Sequence, residues 1–205
     1  MIDFPLYLIT DRKQVANGHT LYTAVEAALQ GGVKALQLRE KDLSAAELLP
    51  LATQLRDLTR SHGALLFIND NIDIALTVEA DGVHLGGHSE ATEVIRRKIG
   101  EKVLIGVSTH SKEEIEIAAK QGADFVTFGP VYATPSKAKY GKPQGLEKLS
   151  EACHNSLIPV FALGGITPER ATEIKQAGAK GIALISAIIA SPAPRDVAEA
   201  FLTGG

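Results

Sequence analysis

Four segments of the chain repeat one device: GGVKALQLRE (31–40), EADGVHLGG (79–87), QGADFVTFGP (121–130) and AGAKGIALIS (177–186). Each sets a helix-ending Gly, or Ala-Asp, just ahead of a short apolar run. A glycine past a helix end takes the left-handed conformation without steric cost, so the chain re-enters a sheet the same way each time. Eight such runs are predicted as strands: Leu6–Thr10, Ala35–Arg39, Leu65–Asn69, Gly82–Leu85, Val103–Val107, Phe125–Phe128, Val160–Leu163 and Gly181–Ile185. They are continuous rather than alternating, the pattern of strands covered on both faces.

Between them lie amphipathic stretches with apolar residues at helical spacing. Leu21, Val25, Ala28 and Leu29 share a side of Thr20–Gln30, and Leu48, Leu51, Leu55 and Leu58 share a side of Ser44–Thr59. Ile72–Val78, Ala91–Ile99, Lys112–Gln121, Leu146–His154, Pro168–Ala177 and Asp196–Leu202 continue the series. Eight strand–helix units in 205 residues, with no linker or composition break, predict one domain over 1–205 folded as a (β/α)8 barrel, the TIM-barrel architecture. The rival is a doubly wound open sheet. The first strand–helix turn lacks the GxGxxG that would favour it.

Composition excludes several function classes. Apolar residues make up 45% and charged residues 22%, as in soluble globular proteins. The net charge of −3 and the absence of a basic run leave no nucleic-acid footprint. No apolar stretch reaches the ~20 residues that span a bilayer, and Met1–Pro5 lacks the basic start and apolar core of a signal peptide. A lone cysteine, Cys153, forms no internal disulfide and no thiolate zinc site. That predicts a reduced, cytoplasmic setting, with Cys153 in a packing role. Oligomeric state is not legible.

Polar residues collect at the carboxyl ends of the strands, where barrels place their chemistry. Thr10-Asp11-Arg12 ends the first strand, Gln37 to Lys41 the second, Asn69-Asp70 the third, and Ser108-Thr109-His110 the fifth. Gln37, Arg39 and Lys41 alternate, so on an extended segment they face one way. Two cations on one face repel unless an anion sits between them; a solvated loop with Glu40 as local partner is the plainer alternative. FALGGIT (161–167) and LISAI (184–188) end the last two strands, and the loops after strands 7 and 8 frequently bind phosphate in barrels. The plainer alternative is a pair of packing turns, with Thr167 as a helix cap. The long loop Gly129–Gly145 carries hydroxyls and Lys137 suited to clamping a phosphorylated ligand; a floppy insertion is the plainer alternative. Asp70 alone is a weak metal signal. His84 reads as a partly buried strand residue, and His110 as either a catalytic or a helix-capping group. His19, His62, His88 and His154 read as surface residues.

Taken in order, QLREK (37–41), FIND (67–70), ADGVHLG (80–86), IGVSTH (105–110), FGPVYATPSK (128–137), LGGIT (163–167) and LISAI (184–188) resemble the thiamine-phosphate synthase and thiazole tautomerase family over essentially the whole chain. The resemblance implies a barrel that joins a hydroxymethylpyrimidine diphosphate to a hydroxyethylthiazole phosphate and releases diphosphate. By position it assigns Gln37, Arg39, Lys41, Asn69, Ser108 and Lys137 to the pyrimidine diphosphate. It assigns Thr134, Ser136, Gly165, Ile185 and Ser186 to the thiazole phosphate, and Asp70 to magnesium (Mg2+). Arg39, Lys41, Lys137, Ser108 and His110 are the expected catalytic set. One departure matters. Where synthases follow HLG with Gln-x-Asp, this chain has Gly87-His88-Ser89, so Ser89 replaces the second metal carboxylate. Either Asp70 holds magnesium with diphosphate oxygens, or Glu90 compensates, or the chain belongs to the tautomerase branch, which isomerises a thiazole carboxylate phosphate without metal and would use His110 for proton transfer. A non-catalytic thiazole-phosphate binder is the third alternative.

Overall fold

The structure, a computed structural model, describes residues 2–134 and 142–204. Eight parallel strands close on themselves: β1 Leu6–Ile9, β2 Ala35–Leu38, β3 Leu65–Asn69, β4 Gly82–Leu85, β5 Leu104–Thr109, β6 Phe125–Phe128, β7 Val160–Leu163 and β8 Gly181–Leu184. Each pairs with the next, and β8 returns to β1 through Leu6–Ile182, Tyr7–Ala183 and Leu8–Leu184. Closure removes the open-sheet alternative.

The helices among the described residues are α1 Leu21–Gln30, α2 Ala45–Ser61, α3 Ile72–Thr77, α4 Thr92–Ile99, α5 Lys112–Lys120, α6 Gly145–Asn155, α7 Ala171–Gln176, α8 Ser186–Ile189 and α9 Pro194–Thr203. Two features escape periodicity. A 3-10 turn at Arg12–Gln14 is capped by Asp11, and α8 is a single turn too short to show a pattern. No helix among the described residues is long and apolar enough to cross a membrane.

Strand residues of opposite parity feed two cores. Leu8, Leu36, Leu38, Leu66, Ile68, Val83, Ile105 and Val126 point outward and pack under the helices. Tyr7, Ile9, Ala35, Phe67, Phe125, Phe161 and Ala183 point inward with Phe4, filling the barrel. The interior is aromatic, and it fits only because three strands carry glycine there. A Cβ at Gly82 would lie 2.4 Å from Phe67, at Gly106 2.5 Å from Phe125, and at Gly181 2.6 Å from Phe161.

The amino-terminal end is closed by two matching clamps. Asp81 accepts from Leu66 N at 2.8 Å and from Arg56 Nη1 at 2.5 Å; Asp124 accepts from Ile105 N at 2.7 Å and from Arg96 Nη2 at 2.5 Å. These aspartates are the Ala-Asp pairs of the repeated device, so at this end that motif is structural. The left-handed position after α3 falls on Glu79 (φ 50°), one residue before the Ala-Asp pair. Cys153 packs on the outer core, and burial pushes its thiol up to about 11.

Candidate active site

A cavity of about 630 Å³ opens at the carboxyl ends of the strands. Ten of the expected residues line it: Gln37, Arg39, Lys41, Asn69, Ser108, His110, Thr134, Gly165, Ile185 and Ser186. Ser136 and Lys137 lie outside the described residues. The loop that carries them leaves and rejoins the barrel beside the cavity. Val131 N donates to Leu163 O at 2.9 Å and Tyr132 N to Gly164 O at 3.0 Å. On the return, Gln144 N donates to Pro130 O at 2.8 Å and Gly145 N to Val131 O at 3.0 Å.

One wall is cationic. β2 ends at Leu38, so Arg39 follows the strand and Lys41 sits in a turn, but both still reach the cavity with Gln37. The plainer alternative, in which Glu40 is their local partner, does not hold. Glu40 is 6% exposed and turns the other way, accepting from Arg12 N and Arg12 Nη1, all at 3.1 Å. Arg12 also makes a two-pronged contact with Asp42 at 2.6 and 2.8 Å, and Lys13 adds an ion pair at 2.7 Å. The Arg12 guanidinium, with help from Lys13, holds the Asp42 carboxyl well below the usual range. The loop's acids are thus taken by Arg12 and Lys13. Arg39 and Lys41 have no acidic partner among the described residues. Like charges left side by side at a cavity cost free energy until an anion enters.

A second part of the lining, after β7, is a turn that only glycine can make. Gly164 (φ 103°) and Gly165 (φ 64°) are both left-handed, and a Cβ at Gly165 would sit 2.7 Å from Ala133 O. Their carbonyl oxygens are drawn away from the cavity, Gly164 O by Tyr132 N and Gly165 O by Arg170 Nη1 at 2.6 Å. Arg170 also stacks 4.2 Å over the Tyr132 ring, whose hydroxyl donates to Glu173. Partial burial, with Glu173 adding to it, pushes the Tyr132 phenol up to about 12. The Gly165 and Ile166 amides have no acceptor among the described residues. The first amides of α8, at Ser186 and Ala187, lie on the same wall and have no intrahelical acceptor.

Asp70 and Ser89 sit at the rim beside Gly86. Asp70 is left-handed (φ 59°), a conformation aspartate tolerates better than most residues. The Ser89 hydroxyl donates to Asp70 Oδ1, Gly86 N donates to the same oxygen at 3.2 Å, and Asn69 Nδ2 donates to Oδ2 at 2.6 Å. Glu90 is committed elsewhere, to Lys98 at 2.6 Å. No group of three or more His, Cys, Asp or Glu among the described residues is placed to hold a metal. With three donors on Asp70 and about four lone-pair sites on a carboxylate, one site remains on Oδ2. That donor set fits a magnesium ion that takes one protein carboxylate and draws its other ligands from substrate phosphates and water. It does not fit a self-sufficient protein cage.

Two histidines differ sharply. His110 Nδ1 donates to Gly129 O at 2.5 Å, leaving Nε2 as the nitrogen able to exchange a proton. It is not the helix cap: Ser111 caps α5, while His110 N donates to Glu114 Oε2 at 2.6 Å. His84, expected to be a partly buried strand residue, is 2% exposed and forms part of the cavity floor. Its pKa is lowered to about 3, chiefly by burial; Asp70 opposes the shift, and Arg39 and Lys41 contribute to it. Sequence reasoning passed over it because a single His on an apolar strand gives no sign of which way it points. Its inward parity on β4, in register with Asn69 and Gly106, was the available signal.

The comparisons with known proteins agree with this geometry. Residues 6–188 match the family model described as "Thiamine monophosphate synthase". A protein of Geobacter sulfurreducens, provisionally named a thiamine-phosphate synthase, is 55% identical over 98% of this chain and 94% of its own. The thiamine-phosphate synthase of Roseiflexus castenholzii is 42% identical over 95% of this chain and 85% of its own. The solved thiamine phosphate pyrophosphorylase of Pyrococcus furiosus superposes with a TM-score of 0.88 at 37% identity, covering 98% of this chain and 95% of that one. The chain belongs to the thiamine monophosphate synthase family.

Proposed function

We propose that the chain is a thiamine-phosphate synthase, a transferase that joins hydroxymethylpyrimidine diphosphate to hydroxyethylthiazole phosphate and releases diphosphate. The observation that carries this reading is the two-walled cavity. Two cations without acidic partners among the described residues, and a glycine turn whose amides have no acceptor among them, line one cavity at the mouth of one barrel. A protein with a single phosphorylated ligand has little use for both walls.

Arg39, Lys41 and Ser108 take the diphosphate, with Lys137 as a further cation from the long loop. Gln37 and Asn69 hold the pyrimidine. Gly165, Ile185 and Ser186, with Thr134 and Ser136, take the thiazole phosphate. Asp70 is the residue that would hold magnesium, with Ser89 orienting its carboxylate. The ion supplies neutralisation of the diphosphate's negative charge. As diphosphate departs, negative charge builds where Arg39 and Lys41 already point, so they stabilise the transition state more than the ground state. The thiazole nitrogen is already a nucleophile, so the reaction needs no catalytic triad. Holding two substrates in line supplies on the order of 7–11 kcal/mol at best. The ligands are small phosphorylated molecules, and the single cysteine supports a reducing cytoplasmic setting.

A second reading has one observation in its favour. The His110 ring donates through Nδ1 and keeps Nε2 for proton transfer, as a tautomerase would need. Incubating the purified protein with both synthase substrates, with and without magnesium, and separately with the thiazole carboxylate phosphate, decides between them. The expected result is magnesium-dependent diphosphate release. Aromatisation without diphosphate release, lost in His110→Gln, would establish the tautomerase. Binding of the thiazole phosphate without turnover of either set would establish a non-catalytic binder.

A further inference from the structure

Four polar side chains from four strands form one continuous relay at and below the cavity floor. Gln37 Nε2 donates to Tyr7 Oη at 3.2 Å, Tyr7 Oη lies 3.3 Å from His84 Nδ1, and His84 Nε2 lies 3.0 Å from Ser108 Oγ. Gln37, His84 and Ser108 line the cavity; Tyr7 lies beneath them, fully buried among Phe4, Phe67, Phe125 and Phe161.

The relay fixes where its protons lie. A buried hydroxyl must find an acceptor, and Tyr7 Oη has two polar neighbours. The Gln37 amide nitrogen is itself a donor, so His84 Nδ1 accepts. The ring's proton is then on Nε2, from which it donates to Ser108 Oγ. A proton on Nδ1, in the other tautomer or in a cationic ring, would leave the Tyr7 proton stranded in an aromatic core. Having accepted from His84, Ser108 has its own O–H to give to the cavity. A bare Nε2 would instead draw that hydrogen back into the floor.

We propose that Tyr7 is a positioning residue: by holding the His84 proton on Nε2, it presents the Ser108 hydroxyl as a hydrogen-bond donor to an anionic group in the cavity. The identity of that group as a diphosphate rests on the proposed synthase reading. The state of the ring does not.

The test uses the full chain with 15N-labelled histidine, the His84 ring being assigned by its loss in His84→Gln. In the unaltered protein the expected state is neutral, with Nε2 protonated and Nδ1 bare. Tyr7→Phe keeps the aromatic ring and removes Oη. It is expected to shift the tautomer toward Nδ1 and to weaken binding of inorganic pyrophosphate with magnesium about three- to tenfold, the range of one hydrogen bond. Ser108→Ala should cost a similar factor alone and nothing further in the Tyr7→Phe background. A proton on Nδ1 in the unaltered protein overturns the proposal, and that measurement needs no variant to fold. Unchanged pyrophosphate affinity in folded Tyr7→Phe overturns it too, as does full additivity of the two substitutions. None of these readouts requires turnover, so a failed synthase assay counts against the reaction and not against the relay.

Discussion

Glu40 gives its carboxylate to Arg12, beyond the end of the neighbouring strand β1, and not to the cations on either side of it in sequence. That pairing frees Arg39 and Lys41 for a ligand, and it defines what Glu40 substitutions should do. Glu40→Gln is expected to lower stability by about 2 kcal/mol. The value is below the 3–5 kcal/mol of a fully buried pair because Arg12 is one-third exposed and keeps Asp42. Urea denaturation measures it.

Arg39→Ala and Lys41→Ala should each weaken pyrophosphate binding more than tenfold. Neither should lower the melting temperature, because neither side chain has an acidic partner among the described residues to lose. Calorimetric titration, repeated at rising salt, checks both halves of the statement. Affinity of the unaltered protein should fall with ionic strength, and less steeply in each variant.

The Asp70–Ser89 contact predicts a reversal in Ser89→Asp. Two carboxylates would then share the Gly86 amide. Without magnesium, their repulsion should lower stability by about 1 kcal/mol. With magnesium, affinity for the ion and synthase turnover should both rise. Melting curves and activity across a magnesium titration measure this, and curves that coincide with the unaltered protein's would mean that substrate and water already complete the ion's shell.

Acid should weaken the fold through His84. Its pKa is depressed from the ordinary value of about 6.5 to about 3 by burial. Above about pH 6.5 the ring is neutral in both folded and unfolded chains, and its contribution to stability is fully present. As pH falls from there toward 3, the unfolded chain takes up a proton that the folded one refuses, and stability declines by up to about 1.4 kcal/mol per pH unit. Denaturant midpoints between pH 7.5 and 5 should show this slope, and His84→Gln should flatten it.

At the other end of the barrel, Arg96→Ala should cost about 2 kcal/mol. It releases Asp124 and the Gly100, Val103 and Gly122 carbonyls together. Pyrophosphate binding should be unchanged, which separates a structural clamp from the site. The same denaturation and titration experiments give both numbers.

Strands were the most legible part of the sequence, because a parallel barrel buries both faces of each strand and leaves uninterrupted apolar runs such as Leu65–Ile68. Residues on strand ends, Asn69 and Ser108 among them, were legible for the same reason: the run stops where the mouth begins. Helix α8 was not, since one turn has no period to detect. Tyr7 and His84 were hidden by their setting, because an inward-facing polar group on an apolar strand differs from its neighbours only by parity. The local Glu40 pairing that the sequence left open shows the limit of local reading. Its partner is 28 residues away, and nothing in Arg39-Glu40-Lys41 distinguishes a local ion pair from a distant one.

The central claim is that one mouth holds two phosphorylated guests at two separate parts of its lining. The most direct measurement is diffraction from crystals grown with magnesium pyrophosphate and hydroxyethylthiazole phosphate together. The account predicts pyrophosphate against Arg39, Lys41 and Ser108, with the thiazole phosphate against Gly165 and Ser186 in the same molecule. Density showing the two ligands competing for one wall, with the other left to water, would contradict it.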